Sequence, residues 1–215
     1  MLNFVIFYNL NQHQFLNILF ILKQTMHKIE IVIIIIIVFA LLFYIQKKYN
    51  EVEYVISKID NNKYLVQNKL DKEKASNMLA KLNKKIQKLL KHLKKIDPDN
   101  DDIERLLENY SVDNISEGSE DNNYTSYSVN KGEKIVFCLR ERDGSENFVD
   151  ENVLMYVATH ELGHLMTKDI GHTDNFWNNF KYILTEAVKI KVYKKTDYSE
   201  NPTEYCGMNI KSSII

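Results

Sequence analysis

Three kinds of hydrophobic pattern divide this chain. Residues 31–45 are apolar or aromatic at every position. With Lys47 and Lys48 placed to snorkel and Tyr44 and Tyr49 placed at an interface, residues 29–49 reach the roughly 20 needed to span a bilayer. This predicts a single-pass membrane anchor: so dense an Ile and Val run has no polar face for a soluble core helix, and no small-x-small site follows it for signal cleavage. Residues 1–28 are apolar but carry Asn3, Asn9, Asn11, Gln12, His13, Gln14 and Asn17, amides that are costly at the centre of a spanning helix. They read as a hydrophobic leader, or as sequence ahead of a true start at Met26, which opens directly onto the apolar run.

The second pattern is alternation. Val52, Tyr54 and Ile56, then Tyr64-Leu65-Val66, flank Asp60-Asn61-Asn62-Lys63 and predict a hairpin. Residues 124–129 and 134–139 alternate around Asn130-Lys131-Gly132 and predict another. The third pattern is helical spacing. Behind Asp71 as a cap, Ala75, Met78, Leu79, Leu82, Ile86, Leu89, Leu90 and Leu93 form one face of a helix. Its other face carries Lys81, Lys84, Lys85, Lys88, Lys91, Lys94 and Lys95, which reads as a solvated face or a surface for anionic lipid. A short helix over 103–109 follows Asp97-Pro98-Asp99. In a last helix from 174 to about 193, Phe176, Phe180, Ile183, Leu184, Ala187 and Ile190 share a side. The tail over 197–208 is expected to be irregular.

The resulting organisation is leader (1–28), anchor (29–49), hairpin and basic helix (50–110), acidic loop (111–123) and core (124–215). The 28 Lys and Arg nearly balance 29 Asp and Glu, so nucleic acid is not the expected partner. Lys47, Lys48 and Lys58 after the span outnumber Lys23 and Lys28 before it, which favours a cytosolic C-terminal domain. Cys138 and Cys206 could be free thiols or one disulfide; with a cytosolic domain, free thiols are the expectation. The sequons at Asn114 and Asn123 matter only on the other side of the membrane.

The chemistry is concentrated in Thr159-His160-Glu161-Leu162-Gly163-His164, inside the apolar run 153–166. Asp150 can cap that helix. Residues four apart share a helix face, so His160 and His164 can present ring nitrogens to one Zn²⁺. Glu161 then lies beside the ion, within reach of a water on it, as general base for peptide hydrolysis. A catalytic zinc usually has three protein ligands. His172, on a tight turn where Gly171 can end the first helix and Thr173 or Asp174 can cap a second, is the preferred third. Glu186 is its rival, and Glu186 or Asp174 could instead orient a ligand histidine. The plainer alternative is a core helix whose histidines are satisfied by hydrogen bonds.

His160-Glu161-Leu162-Gly163-His164, Gly171-His172 and Phe176-Trp177 together resemble the WLM and SprT-like zinc metallopeptidases. The longer stretch 124–208, closing in Tyr205-Cys206-Gly207-Met208, is similar to uncharacterised membrane-anchored WLM-like proteins of large DNA viruses. The resemblance implies His172 as third ligand and a Phe-Trp pair packing the next helix. It implies an α+β, zincin-like domain: a small antiparallel sheet, the metal helix and a following helix. The strand over 135–140 is the candidate to pair with extended substrate. The expected function is a membrane-anchored, zinc-dependent peptidase acting on a protein or peptide, in a virion or host membrane. Two other classes remain: a noncatalytic membrane or virion protein with a structural zinc site, and a lipid- or nucleic-acid-binding module led by the lysine helix. Oligomeric state is not legible.

Overall fold

The computed structural model describes residues 12–49, 51–119 and 124–215. The start of the predicted leader (1–11), residues 120–123 of the acidic loop with the Asn123 sequon, and the side chains of Lys47, Lys48 and Tyr49 lie outside the described set. The chain forms two compact units, residues 1–50 and 51–215.

The first unit holds one helix, α1 (Gln12–Tyr49). It runs without a break across position 28. Its segment Gln14–Gln46 is the one helix, among the described residues, long and apolar enough to cross a membrane.

The second unit is α+β. Its strands are β1 (Val52–Ile56), β2 (Lys63–Gln67), β3 (Ile115–Glu117), β4 (Tyr127–Val129) and β5 (Lys134–Phe137), in the order β1-β2-β3-β5-β4. The predicted hairpins β1–β2 and β4–β5 are antiparallel, but β3 pairs parallel to both β2 and β5. The sheet is therefore mixed, correcting the antiparallel expectation, and the first hairpin and the core share it. Helix α2 (Lys72–Ile96) lays its apolar face on the sheet, with Ala75, Leu79, Leu89 and Leu93 fully buried. Lys81, Lys84, Lys88, Lys91, Lys94 and Lys95 remain exposed. Several are occupied within the fold: Lys81 pairs with Glu151, and Lys84, Lys88 and Lys94 donate to the carbonyls of Ile59, Ile190 and Pro98.

Asp71 precedes α2 but makes no side-chain cap. Its carboxylate instead accepts from Arg140 Nη1 at 2.7 Å, while Arg140 Nε donates to Glu117 at 2.9 Å. The sequence shows a helix-cap residue; the fold uses it to neutralise a buried guanidinium.

Helices α3 (Asp101–Asn109), α4 (Glu151–Met166) and α5 (Asp174–Lys189) complete the domain with a small hairpin, β6 (Thr203–Tyr205) and β7 (Met208–Ile210). Gly163 lets α5 approach α4 closely, since a Cβ there would stand 3.1 Å from the Phe176 ring. The end of β5 and the β6–β7 turn meet, and Cys138 is bonded to Cys206. This corrects the free-thiol expectation: the buried Tyr205 hydroxyl donates to the Cys138 carbonyl at 2.9 Å and brings the adjacent sulfurs together. Disulfides persist in oxidising surroundings, so the bonded pair and the lysine count around α1 point to different compartments. With 68 residues separating the cysteines, reduction is expected to cost about 4 kcal/mol. Thermal melts with and without a thiol reductant would show it as a fall in Tm.

Candidate metal centre

Helix α4 begins where Asp150 Oδ1 accepts the N–H groups of Asn152 and Val153 at 2.8 and 3.1 Å, as the capping residue predicts. Most of its residues are buried, with His160 and His164 partly buried. The helix ends at Met166, earlier than a Gly171 cap would place it; Gly171 is left-handed (φ +86°) in the following turn. Thr173 then caps α5, its hydroxyl accepting from Phe176 N. The turn brings His172 back over α4.

The three imidazoles converge. His160 Nε2 lies 3.2 Å from His164 Nε2 and 3.1 Å from His172 Nε2. One ring nitrogen from each lies within 4.8 Å of the other two. Tetrahedral ligands with Zn–N bonds of about 2.0–2.1 Å stand roughly 3.3 Å apart, so the donor set fits that ion. Aromatic rings from α5 fix the imidazoles: Phe176 stacks on His164 with centroids 4.3 Å apart, and Trp177 stacks on His172 at 5.5 Å. Trp177 thus backs His172 while itself remaining exposed. Burial and the neighbouring histidines push His160 down to about 3. Burial, His172 and Lys131 push His164 down to about 4. Both are neutral at pH 7, the form that binds metal.

Glu161 is buried, and burial pushes its carboxyl up to about 7 against hydrogen bonds from the Ser128 hydroxyl and N–H. Ser128 lies on β4, the edge of the sheet. The neighbouring Tyr205 hydroxyl bonds Ser126 Oγ at 2.7 Å, and burial, with the negative charge of Glu161 adding to it, pushes that phenol's pKa up. Strand β5 is flanked by β3 and β4, so the segment 135–140 cannot add a substrate strand; the edge beside Glu161 is β4.

Glu186 lies away from the histidine cluster. Its carboxylate bridges His92 of α2, at 2.8 Å, and Lys189. Asp174 occupies the first turn of α5. The sequence reading missed Ser128 and Lys131; the residues of a strand and a turn gave no sign that they face α4, although Asn130-Lys131-Gly132 marked the turn itself.

An α+β domain in which two histidines of one helix converge with a third from the following turn is the class this geometry defines. The chain belongs to the family described as Phycodnaviridae minor capsid protein P4, whose pattern matches residues 64–200. An uncharacterised protein of Acanthamoeba polyphaga mimivirus is 35% identical over 199 residues, covering 87% of this chain and 96% of that protein. An uncharacterised protein of Invertebrate iridescent virus 6 is 33% identical over 72 residues, 33% of this chain and 40% of that protein. Among solved structures, Wss1 from Saccharomyces cerevisiae is 23% identical, with a TM-score of 0.44 over 59% of this chain and 88% of that one.

Proposed function

We propose that this protein is a membrane-anchored, zinc-dependent peptidase of the WLM and SprT-like, zincin type, with α1 as its single-pass anchor and a protein or peptide as substrate. The observation that carries the reading is the convergence of His160, His164 and His172 beside the buried carboxyl of Glu161. The three histidines would hold Zn²⁺. Bound there, the ion would supply Lewis acidity and acidify a water toward a pKa of about 7.

The remaining steps belong to this chain's own groups. Glu161 takes the proton of the attacking water on its carboxylate and returns it to the leaving amine nitrogen. Burial raises its affinity for that proton, and the Ser128 hydroxyl and N–H hold the carboxylate in place. Phe176, Trp177 and Phe180 hold the imidazoles in place. Edge strand β4, beside Glu161, is where an extended peptide would lie.

The test is zinc content of the full chain in detergent, by elemental analysis, alongside His172→Ala and Glu186→Ala. About one zinc per chain is expected, lost with His172→Ala and kept with Glu186→Ala. Folded protein without zinc would sink the reading.

Family membership favours a second role. The family's description names a minor capsid protein, and a virion component could keep the same metal site for folding alone. Glu161→Gln separates the two, since a structural site needs no base.

A further inference from the structure

We propose that Lys131 is a positioning residue for the metal centre, its ammonium holding the turn that carries His172 against the end of α4. The inference rests on the zinc reading above. It starts from the last carbonyls of α4, which have no partners within the helix. Gly163 O accepts from Thr167 N and Oγ1, Leu165 O from Asn109 Nδ2 at 3.1 Å, and Met166 O from Arg105 Nη1 at 2.8 Å. His164 O accepts from Lys131 Nζ at 3.2 Å.

Asn109 and Arg105 each hold one helix carbonyl. Lys131 reaches further: its Nζ also donates to Thr167 O at 2.7 Å and Asp169 O at 2.6 Å, both beyond the helix. An ammonium has three N–H donors, and three carbonyls take them. A cation at a helix C-terminus also complements the partial negative charge there. One group thus ties a ligand residue, His164, to the turn leading to His172, three residues past Asp169.

That turn needs holding. Residues 168–175 are exposed, Ile170 almost completely, and Gly171 meets no neighbours. Lys131 is itself aimed by unusual backbone: Asn130, Lys131 and Gly132 are all left-handed, with φ of 45°, 57° and 113°. Asn114 Nδ2 fixes the bend through Gly132 O at 2.7 Å. The same bend joins β4 to β5, so Lys131 also links the strand bearing Ser128 to the turn bearing His172.

The experiment uses the full chain in detergent, with zinc affinity measured by chelator competition and Co²⁺ spectra reporting coordination. Lys131→Met should bind zinc about 10–100-fold more weakly than the parent, as loss of a partner outside the ligand set does, and its Co²⁺ spectrum should change. Lys131→Cys, alkylated with 2-bromoethylamine, regains an ammonium at nearly the same reach and should recover affinity and spectrum; the native cysteines are bonded to each other and spared. Parent-like affinity in Lys131→Met would overturn the proposal. So would a loss that aminoethylation fails to repair, because the ammonium would then not be the cause. Parent protein that binds neither ion would instead overturn the zinc reading, and this inference with it.

Discussion

Glu161→Gln is expected to slow peptide hydrolysis by about 10²–10⁴-fold while leaving zinc at one per chain. The substitution keeps the shape of the side chain and removes its capacity to hold a proton. Zinc content should survive, because the three imidazoles and not the carboxylate form the cluster. A pool of quenched fluorescent peptides, assayed with parent and variant side by side, gives the comparison without a known substrate. Equal turnover in both would remove Glu161 from the chemistry. An inactive parent with full zinc would favour the structural role in a virion.

Gly132→Ala carries the second large effect. Gly132 sits at φ +113°, a region that L side chains rarely adopt, and an added Cβ would overlap the backbone carbonyl of Asn109. Neither side can yield cheaply, since the obstacle is the end of α3 rather than a flexible side chain. Overpacking alone costs typically 1–3 kcal/mol, and the backbone penalty adds to it, so a loss of about 3 kcal/mol or more is expected. Urea unfolding of the two proteins checks it. A change below about 1 kcal/mol would mean that the bend between β4 and β5 can move away from α3.

Much of this domain was legible because local chemistry and tertiary demand agree. The alternation around Asp60-Asn61-Asn62 and around Asn130-Lys131-Gly132 became hairpins, and the apolar spacing behind Asp71 became α2. Asp150 caps α4 and Thr173 caps α5, as side-chain oxygens at helix starts do. The four-residue spacing of His160 and His164 placed their nitrogens together, and a left-handed Gly171 helped bring His172 to them.

What stayed hidden depends on long-range pairing. Strand β3 is three residues, Ile115-Ser116-Glu117, inside a stretch that reads as loop; only its parallel neighbours make it a strand. Its insertion beside β5 decides that β4 is the edge, an outcome that alternation in β5 cannot encode. Glu186 has a spacing that would suit a ligand, but α5 turns it toward His92 of α2. Isolated cysteines likewise carry no pairing signal, whereas the buried Tyr205 that brings them together does so only once β6 has docked.

The bond between Cys138 and Cys206 has one more consequence. It closes the chain into a covalent ring, and His160, Glu161, His164 and His172 all belong to that ring. The exposed segment 142–147 lies within it. A protease cut there would leave two polypeptides joined through sulfur, migrating as one species on a gel until reductant is added, with the three histidines and Glu161 on one side of the cut and Ser128 and Lys131 on the other.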